Sequence, residues 1–258
     1  MTSYKIEAGT AQHIGNRPQQ NDRVALMTGA RAPGYVLAVL SDGVGAAGAA
    51  ASDQVLHTAK QVFDEFKPGD HPTVERLQQL LREIVQETHL VINMNAVATQ
   101  VEAHASFVGL VLTPHGEAVW AHVGDSRLYH FHEGKCHART SDAAYVEHLV
   151  SSDRLPPEAA KNHRKSKLLV NLLGNSRKDP FLTFGQRLDL AAGDVFLLCS
   201  DGLWHFFTDA ELGAATFKAT PRQASEMLIN KAGERSQGKG GNCSMAIVKL
   251  VQPGQPAA

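Results

Sequence analysis

Two copies of the tripeptide Ser-Asp-Gly each follow a short apolar segment. Ser41-Asp42-Gly43 follows residues 35–40, and Ser200-Asp201-Gly202 follows residues 195–199. An aspartate at the end of a buried strand, with a glycine after it to permit a sharp turn, can aim its carboxylate at a cation. One Asp-Gly dipeptide is most often a simple turn. Two copies in the same setting predict a shared cation site.

Other short motifs accompany these two. They are Gly15-x-Arg17 with Asp22 after it, Gly124-Asp125-Ser126-Arg127, and Asn242-Cys243-Ser244. Each motif is weak alone, but their order and spacing over residues 4–251 resemble the metal-dependent protein phosphatase family (PPM, type 2C). The chain looks like a bacterial member with one domain over residues 1–251 and a tail at 252–258.

The resemblance implies a fold and a metal site. The fold is α+β: a two-layer antiparallel β-sandwich flanked by helices, with a helical flap at about 142–176. By the resemblance Asp42 bridges two metal ions, Gly43 gives its carbonyl oxygen, and Asp201 binds one ion. Asp22 then binds a metal or its water shell. Oxygen ligands with retained water suit Mn²⁺ or Mg²⁺.

The same resemblance implies an activity. Catalysis would rest on Arg17, Asp42 and Asp201, which serve hydrolysis of phosphoserine and phosphothreonine in proteins by metal-activated water. Arg17 matches the residue that forks onto the phosphate oxygens. His163, in the flap, is a candidate for contacting substrate. The partner expected by analogy is an opposing serine/threonine kinase.

Asp125 has two interpretations that the sequence leaves open. By the resemblance it helps to hold a third, weaker metal ion. Alternatively it is an aspartate that caps a turn and pairs with Arg127. Scattered histidines such as His130 and His132 lack the spacing of metal ligands, and we expect them to be surface or core residues.

The chain departs from the family pattern at two positions. Gln20-Asn21-Asp22 stands where the family has Asn-Glu-Asp or Asn-Gln-Asp, and Gly241 stands where a metal-binding aspartate is expected. Losing a carboxylate should weaken one metal site by roughly 10-fold to 100-fold. Two hypotheses follow: an active phosphatase with a weakened metal pair, or a catalytically weak or inactive module that binds a phosphoprotein or a kinase.

The surrounding elements can be predicted from periodicity. Strands are predicted at residues 4–12, 23–28 and 35–40, a hairpin at 107–112 and 118–123, and further strands at 181–190, 194–199 and 243–251. Apolar residues at helical spacing from Val55 to Phe66 predict one helix, and Thr73 is the predicted N-cap of a second. Helices are also predicted at 209–217 and 221–235.

Composition narrows the function classes. The 258 residues are 43% hydrophobic with a formal net charge of −1, which gives no basic footprint for nucleic acid or for an anionic membrane. The apolar runs are too short to cross a bilayer, and no secretory signal begins the chain. The three cysteines form no CxxC pair, which is typical of a reducing compartment. We expect a cytoplasmic protein.

Overall fold

The computed structural model describes residues 4–69, 72–141 and 171–253. Its strands are β1 (Lys5–His13), β2 (Arg23–Gly29), β3 (Ala32–Ser41), β4 (Gly43–Val44), β5 (His104–Ala105), β6 (Phe107–Leu112), β7 (Ala118–Val123), β8 (Arg127–His132), β9 (Lys135–Arg139), β10 (Thr183–Arg187), β11 (Asp194–Cys199) and β12 (Cys243–Val251). Its helices are α1 (Gly48–Glu65), α2 (Val74–Thr99), α3 (Asp201–Trp204), α4 (Asp209–Lys218) and α5 (Pro221–Arg235).

Two antiparallel sheets form the centre of the molecule. The first has the strand order β1-β12-β11-β8-β9, and the second has the order β10-β7-β6-β3-β2. Each sheet has five strands, and the short strands β4 and β5 form a separate pair. The predicted antiparallel sandwich is therefore confirmed.

Alternation along the central strands explains why their sequences are apolar throughout. In β3, Leu37 and Val39 pack in the cluster beneath α1 and α2, whereas Leu40 packs between the two sheets. In β11, Leu197 packs toward α4 and α5, whereas Leu198 packs between the sheets. Successive side chains of a strand point to opposite faces, so a strand with both faces covered needs apolar residues at every position.

Helices cover the outer face of each sheet. Helices α1 and α2 lie against the second sheet, and α4 and α5 lie against the first. Thr73 caps α2 by accepting a hydrogen bond from the backbone N–H of Arg76, as predicted. Helices α4 and α5 begin with capping boxes on Thr208 and Thr220, which explains why their starts could be placed from the sequence.

Within the described ranges, no helix is both long enough and apolar enough to cross a membrane. Several predicted elements differ in length: β3 spans Ala32–Ser41 rather than residues 35–40, and α1 spans Gly48–Glu65 rather than Val55 to Phe66. Helix α2 has 26 residues rather than about five turns, and β10 covers five residues inside the predicted 181–190. The predicted hairpin and the strands at 194–199 and 243–251 have the observed bounds.

A buried ion cluster lies at the end of β11 remote from the Ser-Asp-Gly tripeptide. Asp194 is fully buried, and its Oδ1 lies 2.9 Å from His130 Nε2 and 2.9 Å from His132 Nδ1. The backbone N–H of Ala191 donates to its Oδ2 at 2.8 Å. Burial opposes the ionised carboxylate, but these hydrogen bonds outweigh it, and the pKa of Asp194 is lowered. The two histidines therefore serve the structure at this end of the sheet.

We expect Asp194→Ala to destabilise the protein by about 3 kcal/mol or more at pH 7, because it leaves the buried His130 and the partly exposed His132 without their carboxylate. A lowered folded pKa means that this contribution is present above the unfolded pKa, near 4, and is lost as the pH falls below it. Urea unfolding at pH 7 and at pH 3 measures the effect. Glu234→Ala, at an exposed residue of α5, is the control. The prediction would be contradicted if the difference in the free energy of unfolding between wild type and Asp194→Ala were the same at both pH values.

Candidate functional site

The first Ser-Asp-Gly tripeptide is fixed through its backbone. Asp42, directly after β3, donates its N–H to Ser106 Oγ at 2.9 Å and accepts the Ser106 N–H at 2.8 Å. Ser106 Oγ also lies 2.6 Å from Ser126 Oγ. Both the N–H and the C=O of Asp42 are therefore bound by one neighbour, which fixes the direction of its side chain.

Gly43 lies where no side chain fits. A Cβ at this position would lie 2.0 Å from the carbonyl oxygen of Gly48 and 2.8 Å from Ser52 Oγ. Gly48 begins α1, so the glycine allows the backbone to pass directly against the start of this helix. The chain can then turn from β3 into α1 while Asp42 stays at the end of the sheet.

Asp22 connects the two copies of the tripeptide. It is fully buried, and its Oδ2 accepts a hydrogen bond from Ser200 Oγ at 2.7 Å. Ser200 Oγ in turn accepts the backbone N–H of Ser244 at 3.0 Å. The other carboxylate oxygen of Asp22, Oδ1, is buried and has no hydrogen-bond partner among the described residues. A buried oxygen of this kind suits a cation ligand.

Carboxylates gather around Asp42. Burial raises the pKa of Asp42 well above its usual range, and the charges of Asp22, Asp201 and Asp125 raise it further. The pKa of Asp22 is also raised, first by burial and then by the charge of Asp201, against the opposing hydrogen bond from Ser200. These effects require the four acids to lie near one another. A divalent cation would offset the repulsion among them.

The acids fit a metal that keeps part of its water. Within residues 4–69, 72–141 and 171–253, no three His, Cys, Asp or Glu side chains form a group that could hold an ion by themselves. An ion here would need water and backbone oxygen in addition to Asp42, Asp22 and Asp201. Such a donor set, made only of oxygen and with water retained, is typical of Mn²⁺ and Mg²⁺.

Arg17 lies beside the departure from the family pattern. Its side chain is exposed, and a Cβ built on Gly241 would lie 3.8 Å from Arg17 Nε and 3.9 Å from Nη2. The expected acid at position 241 is therefore replaced by open space facing a guanidinium. The structure thus places Arg17 beside Gly241, which the sequence did not predict, and the role of Arg17 in binding phosphate stays a prediction.

Asn242 holds the loop that carries Arg17 and Asp22. Its Nδ2 donates to the carbonyl oxygens of Ile14 at 2.8 Å and Gln19 at 3.1 Å, and its Oδ1 accepts the N–H of Asn21 at 2.8 Å. One amide side chain therefore binds both ends of the loop. The motif drew attention to this residue, but its positioning role was not predicted.

We expect Asn242→Ala to lower kcat/KM for a phosphopeptide by roughly 10-fold to 100-fold, the range typical of a residue that positions a site. The variant loses three hydrogen bonds, so its melting temperature should also fall. Asn230→Ala, at an exposed position of α5, is the matched control. If Asn242→Ala reduces stability but leaves kcat/KM at the wild-type value, the loop does not depend on this residue for its active geometry.

Asp125 lies beside an aromatic cluster. Its carbonyl oxygen accepts a hydrogen bond from Trp204 Nε1 at 2.9 Å, and the guanidinium of Arg127 lies 3.4 Å from the centre of the Trp204 ring. The ring of His205 stacks on the other side of the indole system, with centroids 3.8 Å apart. Arg127 is thus held against Trp204. The charge of Asp125 raises the pKa of Asp42.

One predicted site residue is outside the described residues. His163 and most of the predicted flap fall in residues 142–170, outside the described residues. The end of the flap segment is described: Leu173 is buried and exchanges two backbone hydrogen bonds with Ala105 of β5. This contact ties residue 173 to the strand pair that begins at Gly43.

Four aspartates thus lie near one another where β3 and β11 end. Comparison with known proteins identifies the family. A profile of the protein phosphatase 2C family matches residues 9–232. The chain therefore belongs to the protein phosphatase 2C family, whose phosphatases depend on metal ions.

Named relatives are serine/threonine phosphatases. The chain is 31% identical over 191 residues to the serine/threonine protein phosphatase PstP of Mycobacterium tuberculosis, covering 71% of this chain but only 34% of PstP. It thus spans about a third of that relative. It is 27% identical to the serine/threonine phosphatase stp of Listeria innocua, covering 86% of this chain and 88% of stp.

A solved structure supports the fold. The catalytic domain of PstP in complex with two manganese ions has a TM-score of 0.69 to this chain at 24% identity, covering 96% of this chain and 99% of that domain. At this identity the likeness concerns the fold, which is the predicted sandwich.

Proposed function

We propose that this chain is a metal-dependent serine/threonine phosphoprotein phosphatase. The observation that carries the proposal is the proximity of Asp22, Asp201 and Asp125 to Asp42, and Arg17 is proposed to bind the substrate phosphate beside them. Membership of the protein phosphatase 2C family and the named relatives support the same activity. The substrate class would be phosphoserine and phosphothreonine in proteins, and an opposing serine/threonine kinase is the expected partner.

The acids would hold two Mn²⁺ or Mg²⁺ ions. By the resemblance, the residues that would hold them are Asp42, Asp201 and Asp22, with the carbonyl oxygen of Gly43 as a further donor. Asp125 is proposed to support a third, weaker ion. The two manganese ions bound to PstP favour this assignment. When bound, such ions supply a Lewis acid and a water of lowered pKa for attack on phosphorus.

The chain itself would position the phosphate. The exposed guanidinium of Arg17 can donate two parallel hydrogen bonds to a phosphate dianion. Asn242 fixes the loop on which Arg17 lies, and Ser106 fixes the backbone of Asp42. Both contacts reduce the reorganisation needed when the substrate binds. His163 is proposed to contact the substrate from the flap segment.

We place the protein in the cytoplasm. Cys136, Cys199 and Cys243 are free thiols, and the last two are buried under the site. Free cysteines are usual where thiols stay reduced. The formal net charge of −1 supports a protein partner rather than nucleic acid or a membrane surface.

Hydrolysis of p-nitrophenyl phosphate and of a phosphothreonine peptide, measured against Mn²⁺ concentration, tests the proposal. We expect turnover that requires the ion and saturates at millimolar concentrations, because the acid at position 241 is absent. The proposal would be contradicted by a folded protein that shows no turnover at a Mn²⁺ concentration 10-fold above the one that saturates a family phosphatase. That result would favour a module that binds phosphoproteins without hydrolysing them.

A further inference from the structure

A small cleft adjoins the acid cluster on the side of Arg17. Gly15, Gly202 and Gly241 border it. Gly15 lies two residues before Arg17, Gly202 directly follows Asp201, and Gly241 faces the guanidinium. The cleft is therefore continuous with the place where the substrate phosphate is proposed to bind.

The cleft has an apolar floor and a rim of glycines. The floor consists of Phe206, Ile229, Ala232 and Cys243. The rim includes Gly233, where an added Cβ would find no atom within 4 Å. His13 and Ser236 also line the cleft. Because its floor is apolar, the cleft suits a short hydrocarbon group rather than a charged one.

The size of the cleft sets the size of that group. Its volume is about 80 Å³, whereas an apolar cavity of about 150 Å³ is known to hold benzene. The cleft can therefore receive the side chain of alanine or valine, but an aromatic ring would not enter it.

The position of the cleft sets which residue it can receive. Gly241 is both a wall of the cleft and a neighbour of Arg17, at 3.8 Å from its Nε to a Cβ built on the glycine. Consecutive Cα atoms of a bound peptide lie about 3.8 Å apart. A residue adjacent to the phosphoresidue would thus reach the cleft while the phosphate stays at Arg17.

We propose that this cleft is a specificity subsite that receives a small aliphatic side chain next to the phosphoserine or phosphothreonine of the substrate. The inference rests on the proposed function, and it deepens that function by naming a feature of the substrate. Selection would come from burial of the aliphatic group and from exclusion of larger side chains.

A panel of phosphothreonine peptides tests the subsite. The peptides differ only at the residues on either side of the phosphothreonine, which are Ala, Val, Leu or Phe in turn. We expect kcat/KM for Ala or Val to exceed that for Phe by about 10-fold at one of the two positions. Fluorescence anisotropy should give the same order for binding of the peptides.

Three variants of the cleft make the test specific. Gly233→Leu narrows the opening and should abolish the preference, whereas Gly233→Ala, also compatible with a helix, should keep it. Ile229→Ala enlarges the floor and should admit Leu. Each variant should hydrolyse p-nitrophenyl phosphate at the wild-type rate, because this ester has no residue next to the phosphate.

The outcomes separate the two proposals. Equal values for all peptides, or a preference that survives Gly233→Leu, would overturn the subsite. Absence of p-nitrophenyl phosphate hydrolysis would count against the phosphatase activity. In that case the subsite is tested by binding: the same peptides and variants are compared by fluorescence anisotropy instead of by kcat/KM.

Discussion

Asp42→Asn is expected to reduce Mn²⁺-dependent hydrolysis of p-nitrophenyl phosphate by at least about 100-fold, since even partners of metal ligands contribute 10-fold to 100-fold. The variant should fold normally, because the backbone of Asp42 is held by Ser106 and that contact does not involve the carboxylate. The measurement is a Mn²⁺ titration of activity together with the melting temperature.

The same variant should stabilise the metal-free protein. The folded pKa of Asp42 is raised, so between its unfolded value of 3.8 and the raised value the folded chain keeps a proton that the unfolded chain loses. Stability of the metal-free wild type therefore falls as the pH rises above about 4. Asparagine does not ionise and escapes this loss.

Mn²⁺ should then raise the melting temperature of the wild type but that of Asp42→Asn much less. Asp189→Asn is the control, because this aspartate is exposed and its φ of 60° is one that asparagine also adopts. Activity of Asp42→Asn near that of the wild type would refute the assignment of Asp42 to the metal site.

Gly241→Asp is expected to lower the Kd for Mn²⁺ by roughly 10-fold to 100-fold, the effect of one added charged contact. The backbone at position 241 has no positive φ, and the nearest atoms to an added Cβ are those of Arg17 at 3.8 and 3.9 Å, so the new side chain has room. Isothermal titration calorimetry gives the Kd, and the Mn²⁺ dependence of activity should move to lower concentration.

Gly241→Asn is the matched control, because it has the same shape without the charge. The new carboxylate has two available partners, the metal and Arg17. If it pairs with Arg17, then KM for the phosphopeptide rises while the Kd for Mn²⁺ stays at the wild-type value. That result would contradict the prediction, and it would mean that the missing acid does not limit metal binding in this chain.

Local sequence patterns were sufficient to predict most elements of the sandwich. Runs such as residues 107–112 and 118–123 are buried at every position and, apart from His122, carry no polar side chain, so their ends stand out against polar turns. Thr73 marked one helix start through capping, and the structure adds capping boxes at Thr208 and Thr220. Helix α2 is longer than predicted. Met94 and Val97 in its last turns are exposed, and no residue there signals an earlier end of the helix.

The candidate site was predictable only in part. The acids at 22, 42 and 201 could be named because they occur in motifs, and the structure brings them together. The contacts that hold them join residues far apart in sequence: Ser200 with Asp22 across 178 positions, and Asn242 with Ile14 across 228. Periodicity and spacing carry no information on such pairs, which depend on how the two sheets pack.

The hydrogen bond between Ser200 and Asp22 crosses from one sheet to the other. Ser200 continues β11 of the first sheet, whereas Asp22 directly precedes β2 of the second, as Asp42 directly follows β3. An ion held by Asp42 and Asp201 would therefore clamp the two layers together as well as serve chemistry. Sliding of the layers and release of the ion then become a single coupled equilibrium, so repacking the interior far from the acids would alter how tightly the ion is held.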